Sequence, residues 1–121
     1  MKRVEVSSYP VIIFIAGNLF EAKTICLAYC NEVGLCVTVT ETHYCFTGGE
    51  AAGVIVGLIN YPRFPSTPDA IWAHAEALAA KLCAELHQQS YTIQASDKTV
   101  WFSHRPEDAS PAGLPQAGGV A

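Results

Sequence analysis

Apolar residues recur at helical spacing in two parts of the chain, and each part is predicted to form a helix. The first is capped by Asn18 and ends at Gly34, a left-handed C-terminal cap. The second begins at Pro68 and frays at residues 87–89. Each helix has one apolar face, formed in the first by Ala22, Ile25, Cys26, Tyr29, Cys30 and Val33 and in the second by Ile71, Ala75, Leu78, Leu82 and Leu86.

The remaining apolar stretches are predicted as strands. Residues 11–15 form a continuous apolar run, which is typical of a buried strand, and the others are β-branched or alternate. These other strands are residues 36–40, 43–47, 54–59, 91–95 and 100–103. The pattern predicts an α+β fold in which two helices pack on a mainly antiparallel sheet, in the order β-α-β-β-β-α-β-β.

Glycine and proline residues divide these elements. Gly48 and Gly49 form the turn of a hairpin, and three prolines make residues 60–67 a loop. Gly53 and Gly57 interrupt a strand, so each is predicted to mark a bulge or a close backbone approach.

Length and composition predict one domain, residues 1–105, followed by a disordered tail at 106–121. The chain has 121 residues and half of them are hydrophobic, which is enough for a core. The tail, PEDASPAGLPQAGGVA, has too little bulk to pack. Only 15% of the residues are charged, so apolar surface is left for another copy to cover, and a homo-oligomer is predicted.

The formal net charge of −4 argues against duplex nucleic acid as a partner. The firm cations between residues 4 and 105 are too few for a nucleic-acid groove but sufficient for one or two pyrophosphates; they are Lys23, Arg63, Lys81, Lys98 and Arg105. The five cysteines show no CxxC spacing, and the first apolar run is too short for a signal peptide or a membrane span. We therefore expect free thiols in a reducing cytoplasm, without a metal or a cofactor.

Two turns are candidate ligand-binding segments. Gly17 and Asn18 open the first helix, where free backbone N–H groups and the helix dipole favour phosphate. Thr47, Gly48 and Gly49 present amides beside a hydroxyl, which can bind a ribose or phosphate oxygen. The alternative is that both segments serve only as turns and caps.

The other candidates are a cation on a stiff loop and the end of the last strand. Arg63 and Phe64 lie in YPRFP, where two prolines restrict the backbone, so a guanidinium there loses less entropy on binding phosphate. Trp101 and Phe102 point to opposite faces of their strand, with Arg105 following. At least one of these two aromatic residues is predicted to line a pocket or an interface. A surface arginine and core aromatics are the alternative interpretation.

The sequence contains no evident catalytic constellation. His43 and Cys45 share a strand face, but no third residue or oxyanion hole is apparent beside them. His74 and His87 lie too far apart on the second helix to share a metal. We therefore predict a binding protein without catalysis. The alternatives are a protein-binding inhibitor that acts through an apolar surface and a small hydrolase of the ligand.

The segments GLCVTVTETHYCFTGGE and GVIVGLINYPRFPS are similar to the first type of Thoeris anti-defence protein. IAGN and ICLAYCNEVG before them and QQSYTIQASDKTVWFS after them extend the resemblance over residues 11–105. It implies a phage-encoded sponge in the host bacterial cytoplasm that sequesters glycocyclic ADP-ribose without cleaving it and so blocks the Thoeris effector. It also implies dimers, which can build rings such as hexamers, and in some members binding of the cyclic oligonucleotides of CBASS systems. Cys45 departs from the pattern, since a larger residue is expected there.

Overall fold

Residues 1–109 are described by the structure, a computed structural model, and they form a five-stranded antiparallel sheet with two helices. The central strand β1 (Val11–Ala16) pairs with β3 (Gly49–Leu58) on one side and β4 (Ser90–Gln94) on the other. The outer strands are β2 (Thr38–Phe46), which pairs with β3, and β5 (Thr99–Ser103), which pairs with β4. The sheet order is β2-β3-β1-β4-β5.

Helix α1 (Leu19–Val33) connects β1 to β2, and helix α2 (Pro68–Glu85) connects β3 to β4. The predicted fold class, two helices packed on an antiparallel sheet, is confirmed. Of the predicted tail, residues 106–109 are described and contain a 3-10 turn, Pro106–Asp108. The rest of the tail lies outside the described residues.

One strand replaces two in the segment between α1 and β3. Residues 36–40 and 43–47 are predicted as separate strands, with Glu41 and Thr42 between them. No glycine or proline interrupts them, and the pairing with β3 runs unbroken from Thr38 to Phe46. The element order is therefore β-α-β-β-α-β-β.

Both helices pack on the same face of the sheet. Every second residue of β1, starting at Val11, is fully buried there, together with the facing residues of β3 and β4. The core comprises Val11, Ile13, Ile15, Val54, Val56, Leu58, Tyr91 and Ile93 of the sheet, packed against α1 and α2. The opposite face carries the partly exposed side chains of Ile12, Phe14, Ile55 and Trp101.

Strand direction divides the connections between two ends of the sheet. At the upper end, where β1 finishes and Ala16 pairs with Gly53, lie the turn into α1, the β2–β3 hairpin and the end of β5. At the lower end, where Val11 pairs with Leu58, lie residues 34–37, the loop 59–67 and the β4–β5 turn.

Gly53 allows a tight contact on the face opposite the helices. The Tyr44 ring lies across it, and a Cβ atom at position 53 would stand 2.4 Å from Tyr44 Cε2 and 2.6 Å from the Ile15 carbonyl oxygen. The register of β3 with both neighbours continues regularly through Gly53 and Gly57. Gly53 therefore marks a close approach of the Tyr44 side chain and the Ile15 backbone, and not a bulge.

Candidate functional site

A groove of about 680 Å³ lies between α1 and β2 on the helix side of the sheet. Its volume falls within the range of small-molecule sites, about 300–1,000 Å³. Its walls are mainly apolar, formed by Leu19, Phe20, Cys26, Leu27, Cys30, Leu35, Cys36, Val37 and Val39 with Thr24, Lys23 and Glu41. Phe20 is 76% exposed and Leu27 is 64% exposed, although both belong to a helix that packs on the core.

Two charged side chains accompany this apolar wall. Lys23 is one helical turn after Phe20, and its Nζ lies 5.6 Å from the centre of the Phe20 ring. Glu41 stands on the helix side of β2, where its strand partner is Val54. The groove thus offers one cation, one carboxylate and an exposed aromatic ring, which suit a ligand that has both charged and apolar groups.

The lower end of the groove adjoins the YPRFP loop. Hydrogen bonding to Cys36, followed by burial, raises the pKa of Tyr61 to about 12. Tyr61 also packs on Phe64, with ring centres 5.3 Å apart. The loop that carries Arg63 is therefore linked to the groove through Tyr61 and Cys36.

The β2–β3 hairpin supplies a partner for His43 that the sequence did not indicate. His43 Nε2 and Glu50 Oε1 are 2.6 Å apart, and the two side chains are 54% and 73% exposed. Cys45 pairs with Glu50 in the strand register, so all three residues lie on the same strand face as Glu41. This is an exposed histidine–carboxylate pair near the upper end of the groove.

The first two predicted site residues serve local structure. Gly17 has a φ of 142° and donates its N–H to the Ala52 carbonyl, at 3.1 Å. Asn18 Oδ1 accepts the N–H of Glu21, at 3.1 Å, and so caps α1. Thr47, Gly48 and Gly49 lie at the end of the β2–β3 hairpin, where Gly48 has a φ of 92°.

The aromatic pair of β5 is divided between the two faces, as predicted. Phe102 stacks on Tyr91 at the helix side, with ring centres 5.0 Å apart, whereas Trp101 lies on the opposite face. Arg105 follows β5, and its Nη1 is 3.8 Å from Asp108 Oδ2.

The ten predicted residues are not gathered at one place. Arg63 and Phe64 lie at the lower end, and the two turns and Arg105 lie at the upper end. None of the ten is among the residues that line the groove. Their role in ligand binding stays a prediction. Sequence reasoning missed the groove itself; its signal was that Phe20 and Leu27 are large apolar residues outside the buried stripe of α1.

Two features are absent from residues 1–109. Within them, no group of three or more His, Cys, Asp or Glu side chains is placed to hold a metal ion. No helix in this described part is long and apolar enough to cross a membrane.

Two solved structures share the fold of this chain, and both are phage SAM lyases. The lyase in its apo state aligns with a TM-score of 0.63 and 14% identity, over 85% of this chain and 94% of that one. The lyase in complex with S-methyl-5′-thioadenosine aligns with a TM-score of 0.58 and 13% identity, over 85% and 95% of the two chains. No protein-family model and no curated protein matches the sequence.

These neighbours bear on two of the predictions. They are phage proteins, and one of them holds a small nucleoside-derived ligand, which agrees with small-molecule binding by a phage protein. They are also enzymes, and this contradicts the prediction of a non-catalytic sponge. The prediction was wrong because it rested on the absence of familiar catalytic motifs.

Proposed function

We propose that this protein is a phage lyase that binds an adenosine-containing sulfonium compound, S-adenosylmethionine (SAM), in the groove between α1 and β2 and cleaves it. The observation that carries the proposal is the fold shared over 85% of the chain with a lyase that holds S-methyl-5′-thioadenosine. We place its action in the host bacterial cytoplasm.

The groove has groups that suit each part of such a ligand. The exposed ring of Phe20 provides a stacking surface for adenine, and stacking of a base on an aromatic side chain contributes about 1–3 kcal/mol. Lys23 is available for the carboxylate of the amino-acid portion, and Glu41 for its ammonium or for the sulfonium. The apolar side chains around Leu27 suit the methylthio group.

The reaction requires little from the protein beyond binding and orientation. The bond between the sulfonium sulfur and the amino-acid carbon breaks, and its electron pair moves to sulfur, which leaves as a neutral thioether. In one route, the carboxylate oxygen of the amino-acid fragment forms a new bond to that carbon as the sulfur leaves. In the other route, Glu41 takes a proton from the neighbouring carbon, and the electron pair of the broken C–H bond forms a carbon–carbon double bond. Positive charge disappears from sulfur in both routes, so an apolar wall disfavours the charged reactant more than the product.

A second candidate ligand is glycocyclic ADP-ribose, the messenger that Thoeris anti-defence proteins sequester; cyclic oligonucleotides are a related option. The observation that favours it is the resemblance of residues 11–105, which includes the Arg63 loop and the Gly48–Gly49 turn. Both candidate ligands contain adenosine, so the same groove and the same assay apply to them. The low content of charged residues supports a homo-oligomer as the working form.

The test is incubation of the purified protein with SAM, followed by mass spectrometry of the small molecules. We expect S-methyl-5′-thioadenosine to accumulate. Lys23→Ala and Glu41→Gln are each expected to lower kcat/KM at least about tenfold, the scale of one lost charge-assisted hydrogen bond. Lys2→Ala and Glu76→Gln make the same chemical changes at exposed sites outside the groove and should have no effect.

Intact SAM after long incubation with folded protein would refute the lyase activity. Glycocyclic ADP-ribose is then assayed in the same way. Its removal from solution by the native protein, prevented by the two groove substitutions, would support the second candidate ligand. Activity that is unchanged in both groove variants would instead refute the groove as the site.

A further inference from the structure

Both helices cover one face of the sheet, and the opposite face, which we call the open face, is covered by neither helix. A row of side chains crosses all five strands on the open face, because the strand pairs Thr40–Ile55, Ile55–Phe14, Phe14–Thr92 and Thr92–Trp101 follow one another in register. Ile55, Phe14 and Trp101 are large and apolar, yet each is partly exposed in the single chain. The open face therefore has an apolar row at its centre.

The distribution of charge across the sheet is opposite to that expected for a face in water. In an antiparallel sheet with one face on the core, the solvated face ordinarily carries the polar residues. Within the five described strands the acidic and basic side chains are Glu41, His43 and Glu50, and the register places all three on the helix side. The open face of these strands thus carries no charged residue, although no helix covers it.

Two glycines and a tyrosine make the open face flat. Gly53 and Gly57 belong to it, and the Tyr44 ring lies across Gly53. Tyr44 Oη donates to the Val54 carbonyl, at 2.8 Å, so the hydroxyl of this ring has its partner within the chain. A flat surface on which the tyrosine hydroxyl needs no water suits packing against another sheet.

The open face is large enough for a specific interface. Five strands about 4.8 Å apart, with a mean length of about seven residues at about 3.3 Å each, cover roughly 24 by 23 Å, or about 550 Å². Two such faces bury about 1,100 Å² together, and a biological interface needs about 1,000 Å². A symmetric interface brings identical patches together, and an uncharged patch allows this without like-charge repulsion. The partner that fits this face is therefore a second copy of this chain.

We propose that the open face is the interface between copies of this chain, and that their sheets pack face to face about 10 Å apart. Ile55, Phe14 and Trp101 are buried in this interface. The groove between α1 and β2 lies on the other side of the sheet and stays accessible to a ligand. The proposal does not depend on the lyase activity or on the identity of the ligand.

The experiment measures the mass of the full chain in solution by sedimentation velocity at micromolar concentration. We expect a species of at least twice the mass of one chain. Thr40→Lys and Thr92→Lys each add a charge to the apolar row, where the same charge on the facing copy repels it. Each variant should associate at least about a hundredfold more weakly and sediment as a monomer. Both lysines can reach water in the separated chain, so circular dichroism should show the native fold.

Thr24→Lys is the matched control. It makes the same change on α1, within one turn of Phe20 and Leu27, which form another exposed apolar surface. This variant should keep the oligomer. A monomeric original chain, an oligomer that persists in both row variants, or an oligomer that dissociates in Thr24→Lys would overturn the proposal.

The fluorescence of Trp101 provides a second measurement. Trp72→Phe leaves Trp101 as the single tryptophan of the chain. Because the interface buries Trp101, acrylamide should quench it more strongly when Thr40→Lys is added to this background. Equal quenching with and without Thr40→Lys would place the interface elsewhere and refute the assignment of the open face.

Discussion

Replacing Gly53 with alanine tests whether the close packing of Tyr44 against the sheet is essential to the fold. The added Cβ would stand 2.4 Å from Tyr44 Cε2 and 2.6 Å from the Ile15 carbonyl oxygen. Carbon atoms in good contact are about 3.5–4.0 Å apart, so the overlap exceeds 1 Å. The tyrosine ring can shift, but Ile15 belongs to the central strand and pairs with Val54. The carbonyl contact can be relieved only by moving the backbone.

The expected loss follows from two opposing contributions. Overpacking a close contact costs about 1–3 kcal/mol, and occasionally more. Alanine also lowers the conformational entropy of the unfolded chain, which stabilises the protein by only about 0.4–1 kcal/mol. Because two atoms are too close to the added Cβ, we expect a cost near the upper end of this range, so Gly53→Ala should lower the free energy of unfolding by about 2 kcal/mol. For a domain of this size the melting temperature should then fall by about 6–10 °C.

Gly57→Ala is the matched control in the same strand. Its Cβ would meet only Thr38 Oγ1, at 2.6 Å, with the next atom 4.0 Å away. Thr38 is exposed, so its hydroxyl can rotate away. We expect stability within about 1 kcal/mol of the original chain, measured by urea unfolding followed by circular dichroism. Equal stability of the two variants would refute the argument that the Ile15 carbonyl fixes the cost at Gly53.

Three other predictions concern local interactions. Asn18→Ala should destabilise the protein by about 1 kcal/mol in thermal unfolding, whereas Asn18→Asp should retain the cap. Burial raises the pKa of Tyr44 from 10.0 to about 12. The neutral tyrosine therefore contributes its full stabilisation below pH 10, and that contribution is lost as the pH rises from 10 through 12. Urea unfolding at pH 9, 10 and 11 should therefore show a steeper decline for the original chain than for Tyr44→Phe. Glu50→Gln should change the free energy of unfolding by less than about 1 kcal/mol, because the pair that Glu50 forms with His43 is exposed. A larger loss of stability in urea unfolding would contradict this and reveal a structural role for the pair.

Helix boundaries could be predicted because each depends on a few neighbouring residues. Asn18 caps α1, Gly34 ends it with a φ of 74°, and Thr67 Oγ1 accepts the N–H of Ala70, at 3.2 Å. The continuity of β2 could not be predicted in this way. Glu41 and Thr42 are polar, and only their pairing with Val54 and Gly53 of β3 keeps them in the strand.

The grouping of the site residues depends on strand direction, which spacing along the chain does not contain. Gly17 follows the upper end of β1, whereas Arg63 follows Leu58, which pairs with Val11 at the lower end. Both residue types suit phosphate, and the sequence offered no reason to separate them. The antiparallel pairing of β1 and β3 places them at opposite ends of the sheet.

The failure of the non-catalytic prediction has a chemical explanation under the lyase proposal. Searches for a nucleophile with its base, or for paired carboxylates, detect reactions in which the protein supplies the attacking group or transfers a proton. A sulfonium substrate carries its own leaving group, and its own carboxylate can form the new bond. Such a reaction needs a groove that orients the substrate and excludes water. The residues that line the groove here resemble ordinary packing; they are Phe20 and Leu27 of α1, Val39 of β2 and Val37 just before β2. Under the lyase proposal, the informative feature of the sequence is therefore that Phe20 and Leu27 are large apolar residues outside the buried stripe of α1.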